Sequence, residues 1–177
     1  MDNANAPEKL REALTSYILE AEGPGEVSRV RRYNLEYRKQ IEADISQQAS
    51  AFIEEKAEAN RRFLLMLGWT RPHFPNDPAP EFKGKSGTGI YGDSVVELDH
   101  RTGQVLGAIK DAGIEDDTIV IWISDNGPTV TATSASEIHA GDAGPFRGEL
   151  GDAYEGSIRT AGMIKWPGVL QKPSPTK

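Results

Sequence analysis

Two short apolar runs, Phe63-Leu64-Leu65-Met66-Leu67 and Thr118-Ile119-Val120-Ile121-Trp122-Ile123, do most to limit what this chain can fold into. Neither alternates apolar with polar residues. Each stops abruptly, the first at Gly68 and the second at Ser124-Asp125-Asn126-Gly127. Unbroken runs of this length suit strands buried on both faces of a parallel sheet. A helical pattern precedes each. Over 35–60, Ile41, Ile45, Ala49, Phe52 and Ile53 recur at spacings of three and four, while Lys39, Glu42, Glu54 and Lys56 lie off that stripe. Asn34 stands where an N-cap belongs. Over 93–112 the apolar positions are Val95, Leu98, Thr102, Val105, Leu106 and Ile109, and Gly113 supplies the stop. Helix, strand, helix, strand predicts an α/β fold with a parallel-sheet core and flanking helices.

Around this core the chain divides into a polar lead-in, 1–34, a main domain, 35–170, and a loop-like end, 171–177. The lead-in is expected to hold a helix near 8–20 and a loop at the Glu22-Gly23-Pro24-Gly25 break. A Pro-rich loop covers 70–80, and a polar Gly/Lys/Ser stretch covers 83–89. A long Thr/Ser/Ala/Gly loop, 128–144, precedes a short helix expected at 147–154 and a third strand at 162–166. A loop of that length in a compact domain is usually functional or mobile.

With 177 residues the chain suffices for one domain with its own core. Its net charge of −7 gives no counterion-release drive toward nucleic acid or acidic membranes. No apolar run approaches the roughly 20 residues of a membrane helix, and the opening Met1-Asp2-Asn3-Ala4 stretch has neither the basic start nor the apolar run of a secretory signal. The chain has no cysteine, which removes disulfides, thiolate metal sites and a cysteine nucleophile from consideration.

In open parallel sheets, ligands bind beyond the carboxyl ends of the strands. Asp125 and Asn126 directly follow the second run and His73 comes shortly after the first, so neighbouring strands would bring the three side chains to one edge. A carboxylate beside an amide carbonyl offers hard oxygen ligands suited to Ca²⁺ or Mg²⁺ rather than Zn²⁺. By itself, Asp-Asn-Gly reads first as a turn, since those residues dominate turns for backbone reasons alone. His73, between Pro72 and Pro75, reads by itself as an ordinary loop histidine, as a lone histidine usually is. His100 reads as a solvated helix position, and neither it nor His139 has a partner at metal-ligand spacing. Asp99 is expected to face inward on its helix, and Glu155 with Arg159 to form a structural pair.

Six motifs arrive in one order across 38–168: Ala49-Ser50-Ala51-Phe52-Ile53; Phe63 to Trp69; Arg71-Pro72-His73-Phe74-Pro75; Tyr91-Gly92-Asp93 through Leu98-Asp99; Asp116-Asp117-Thr118 through Gly127-Pro128; and Tyr154-Glu155-Gly156-Ser157-Ile158-Arg159 with Lys165-Trp166-Pro167-Gly168. Together they resemble the middle of the type I sulfatase (arylsulfatase) family of the alkaline phosphatase superfamily. The resemblance implies a partial alkaline-phosphatase-like domain, an interior piece of a sulfuric ester hydrolase. It casts Asp125 and Asn126 as half of a Ca²⁺ site and His73 as the catalytic and substrate-binding histidine on the sulfate and leaving-group oxygens. The family's formylglycine nucleophile arises from a Cys/Ser-x-Pro-x-Arg motif that is absent here, as are the paired N-terminal aspartates. Leu150 stands where a sulfate-contacting lysine is usual, and Arg147 is the nearest substitute as a substrate-binding cation. The implied partner is a sulfate ester, the implied compartment periplasmic or extracellular, and the chain alone is expected to be inactive. A phosphoesterase or phosphonate hydrolase of the same superfamily, or a non-catalytic sulfatase-like binding module, are the alternatives. Asn126 stands against a two-zinc phosphatase centre, where a histidine is usual.

Overall fold

A computed structural model describes residues 15–21, 23–129 and 141–170. The first described elements are strands: β1 (Tyr17–Ala21) and β2 (Val27–Arg32) form an antiparallel hairpin. The helix expected at 8–20 therefore gives way to β1 over its last residues, and 8–14 lies outside the described residues. The loop expected at the lead-in's Gly/Pro break falls between the two strands, where Gly23 takes φ +73°.

The helical pattern over 35–60 becomes two pieces, α1 (Leu35–Arg38) and α2 (Ile41–Glu58). Asn34 caps α1 as expected, its side-chain oxygen accepting the Tyr37 amide at 2.8 Å. The second long helix, α3 (Ile90–Asp111), packs along α2 through a core of Ala49, Ile53, Val105, Ala108 and Ile109. Gly113, at φ +69°, ends it in the left-handed conformation a C-terminal stop requires. One polar residue placed off the stripe is not at the surface: Glu42 is fully buried, while Ile41, Ala49 and Ile53 are buried as expected. Asp99 is exposed, and the acids α3 turns inward are Asp93 and Glu97.

Residues 62–69 run extended beneath this helix pair. Phe63, Leu65, Leu67 and Trp69 pack against the core, whereas Leu64 and Met66 are 93% and 92% exposed. No backbone hydrogen bond reaches 62–69 among the described residues. The run is thus a strand-like segment with one face committed to the helices and no ladder partner among the described residues. The second run forms β3 (Val120–Ile123), which pairs antiparallel with β4 (Gly162–Lys165). The α/β class holds, with partial sheets. The pairing does not follow the parallel expectation: both described ladders are antiparallel, and β3 also leaves one face open, with Ile121 and Ile123 exposed. An apolar run shows only that a strand is suited to cover on both faces. It does not name the neighbours that provide it.

The short helix expected at 147–154 lies later, as α4 (Glu155–Ile158), and residues 147–154 are irregular and turn backbone with Gly148 and Gly151 at φ +94° and +96°. Among the described residues, no helix is long and apolar enough to cross a membrane.

Candidate functional site

The Pro-rich loop after the extended segment is held by buried charge. Glu42, from the first turn of α2, accepts the Thr70 amide at 2.9 Å, the Arg71 amide at 3.1 Å and the Thr70 hydroxyl. Arg71 and Glu97 form an ion pair at 3.2 Å with both side chains wholly buried. The same Glu97 oxygen accepts the Ala79 amide at 3.2 Å, and Arg71 donates to the Arg38 and Asp77 carbonyls at 2.9 and 2.7 Å. Arg38, also buried, donates to the carbonyls of His73 and Pro75 at 2.5 and 2.8 Å and to the Tyr33 hydroxyl at 2.6 Å. Sequence reasoning missed this set. Its one visible signal is Arg71 and Glu42, charged residues placed next to apolar segments, which also describes ordinary surface positions.

His73 itself is exposed at the loop's crown. Its ring stacks on Phe74, with centroids 5.2 Å apart, and its Nδ1 lies 2.6 Å from the Phe74 carbonyl oxygen. A carbonyl only accepts, so this contact puts a proton on Nδ1 and leaves Nε2 as the unengaged ring nitrogen. In that state a neutral ring offers Nε2 as an acceptor, and only the imidazolium donates from it.

Asp125 and Asn126 sit just past the end of β3, the first exposed and the second half-buried. Asn126 donates its amide to the Gly127 carbonyl at 2.8 Å, which occupies Nδ2 and leaves Oδ1 unbonded among the described residues. The segment that follows is tied to α4 and the turns before it. The Gly127 amide donates to Ser157 O at 2.8 Å, the Leu150 amide to Pro128 O at 2.9 Å, and the Gly156 amide to Arg147 O at 2.9 Å. The crossing is close enough to exclude side chains: a Cβ on Gly127 would lie 2.1 Å from Gly156 O, and one on Gly156 would lie 2.3 Å from Gly148 O. Backbone approach of this kind admits only glycine.

Arg147 is exposed, with its guanidinium 4.1 Å from the centroid of the Tyr154 ring. Glu155 and Arg159 form the expected local pair, and Arg159 also lies 4.6 Å over Phe146. The structure thus gathers Asn126, Arg147 and Leu150 into one loop cluster. His73 occupies a separate loop, with no hydrogen bond or ion pair to Asp125 or Asn126 among the described residues. His100 is exposed beside Phe82, and His139 lies outside the described residues.

Near the start of α3, Asp93 accepts the amides of Gly84 and Ser86 at 2.7 and 2.9 Å and the Ser86 hydroxyl at 2.7 Å. These hydrogen bonds, led by the Ser86 amide, hold its carboxyl below the usual carboxylate range.

Asp125 and Asn126 are hard oxygen donors, so their chemistry fits Ca²⁺, but their number does not complete a site: Ca²⁺ takes about 6–8 oxygens. No group of three or more His, Cys, Asp or Glu residues able to hold a metal occurs among the described residues.

The sulfatase family model matches residues 16–177. Human steryl-sulfatase is 36% identical over 125 residues, covering 70% of this chain and 21% of that protein. The N-acetylgalactosamine-6-O-sulfatase of Bacteroides thetaiotaomicron is 34% identical over 128 residues, covering 70% of this chain and 25% of its own length. Among solved structures, one from work on glycosaminoglycan metabolism by Bacteroides thetaiotaomicron superposes with a TM-score of 0.68 at 31% identity, over 73% of this chain and 28% of that one. Ps i-CgsB in complex with k-i-k-neocarrahexaose shares the fold at a TM-score of 0.64 and 21% identity, over 82% of this chain and 30% of that one. The chain spans about a fifth of the length of the steryl-sulfatase it matches.

Proposed function

Because the chain belongs to the sulfatase family, we propose that it carries one portion of a sulfate-ester hydrolase site: Asp125 and Asn126 as two Ca²⁺ ligands, His73 as the contact to the sulfate and leaving-group oxygens, and Arg147 as a substrate cation. The observation that carries this reading is the Asp125–Asn126 pair at the carboxyl end of β3, with the Asn126 amide nitrogen turned onto Gly127 and its oxygen left as a donor to metal. When bound, Ca²⁺ supplies positive charge that neutralises the sulfuryl oxygens. With Nδ1–H on the Phe74 carbonyl, His73 presents Nε2 to an ester oxygen. Stacking of Arg147 on Tyr154 limits the freedom of its guanidinium and lowers the entropy lost on gripping an anion. The family nucleophile, formylglycine, does not fit this sequence, which has neither cysteine nor a Ser-x-Pro-x-Arg motif. The 177 residues are therefore expected to bind weakly and not to turn over.

The test is a Ca²⁺ titration of the chain followed by amide NMR. Shifts confined to 125–127, saturating at about 1 mM or above and abolished by Asp125→Asn, support the reading. Unmoved amides, or the same shifts in the variant, sink it. An assay with an aryl sulfate and an aryl phosphate accompanies it, and turnover of the phosphate would favour a phosphoesterase instead.

A further inference from the structure

The loop that bears His73 is gripped by its peptide groups. Three carbonyls at alternate positions, His73, Pro75 and Asp77, accept from two guanidiniums, the first pair from Arg38 and the third from Arg71. Glu42 and Glu97 take amides at the loop's two ends, Thr70 with Arg71 and Ala79. Hydrogen bonds from an ionised, buried donor are the strong ones, and a planar guanidinium can serve carbonyls two residues apart where an ammonium cannot hold the same fork. Arg38 is the member closest to the histidine, and it spends Nη2 on the carbonyl of that very residue. Its Nη1 is anchored on Tyr33, at the end of the β1–β2 hairpin, and its own carbonyl is held by Arg71.

We infer that Arg38 is a positioning residue for His73, fixing where the imidazole stands by holding the backbone on both sides of Phe74. The inference rests on the reading of His73 as the sulfate contact, but it concerns the loop and needs no ligand to test. Arg38 grips only peptide groups of the loop, so its hold does not depend on the His73 side chain, whose own contacts are the Phe74 ring and the Phe74 carbonyl.

Hydrogen exchange and imidazole NMR on the 177-residue chain test this with Arg38→Lys, His73→Ala and, as a stability control, Ile53→Ala in the helix core. Arg38→Lys is expected to speed exchange of the His73 amide about tenfold and to shift the His73 ring signals. His73→Ala should leave the other amides of 70–79 as protected as before. Ile53→Ala should lower global stability without singling out this loop. The inference is overturned if Arg38→Lys leaves the His73 amide and ring unchanged, or if His73→Ala or Ile53→Ala loosens the loop to the same degree. Should Arg38→Lys fail to fold, Tyr33→Phe removes only the Nη1 acceptor, and a His73 amide that exchanges no faster in that variant overturns it equally. Failure of the Ca²⁺ titration would count against the proposed site and leave these readouts untouched.

Discussion

At the scale of single residues, the chain's most consequential groups are buried charges. Glu97 and Arg71 are both wholly out of solvent, and removing Glu97 leaves Arg71 buried without its carboxylate, whereas Glu97 also has Arg101 at 3.9 Å. Glu97→Ala is expected to cost about 3–5 kcal/mol, read as a lower urea midpoint, and a loss under about 1 kcal/mol would show that the pair is solvated. Gly127 is constrained by space. A methyl group there meets the Gly156 carbonyl, so Gly127→Ala should destabilise by roughly 1–3 kcal/mol and disturb the Asn126 amide signals, whereas an unperturbed spectrum would mean the segments part easily. Asp93 gives a pH test. Its folded carboxyl ionises below the ordinary value, so its contribution is complete above that ordinary value and fades as pH falls through the lowered one. Amide protection at Gly84 and Ser86 should fade in that acid window and become pH-independent there in Asp93→Asn. None of these three constraints is visible as such in the sequence. A buried Glu and a solvated Glu are the same letter, and the difference lies in which loop folds over it.

At the scale of elements, the helices were legible and the sheets only partly so. The i, i+3, i+4 stripes of α2 and α3 put Ile41, Ala49, Ile53, Leu98, Val105 and Ile109 inside, while Val95 and Leu106 of the expected stripe are exposed, and Asn34 capped α1 as its chemistry demands. The β1–β2 hairpin was missed because its residues, Tyr-Ile-Leu-Glu-Ala and Val-Ser-Arg-Val-Arg-Arg, are largely exposed and carry no clean alternation. The extended run 62–69 was legible as strand-forming, but a ladder needs a neighbour that local sequence does not specify. Its outer face, Leu64 and Met66, lies bare. Such a face with open backbone groups promotes association. The double variant Leu64→Lys, Met66→Lys should leave the urea midpoint within about 0.5 kcal/mol of the parent and reduce self-association in sedimentation velocity. A large loss of stability would place those side chains inside.

At the scale of the whole molecule, the α/β class was readable from the order of helical and apolar segments, and the sulfatase family from motifs in register. The residues proposed for the site stand in those motifs, but the sequence does not say which of them lie together. Asn126, Arg147 and Leu150 share a cluster because Gly127 and Gly156 let two segments cross, an encounter no local pattern announces. The loop between 70 and 79 adds a consequence for descent. Helices α1, α2 and α3 grasp it through peptide oxygens and amides. Those groups are common to nearly every amino acid, so the side chains at its crown are free to be exchanged over generations without forfeiting their address. Novelty in what the loop displays can accumulate under a scaffold that does not inspect it.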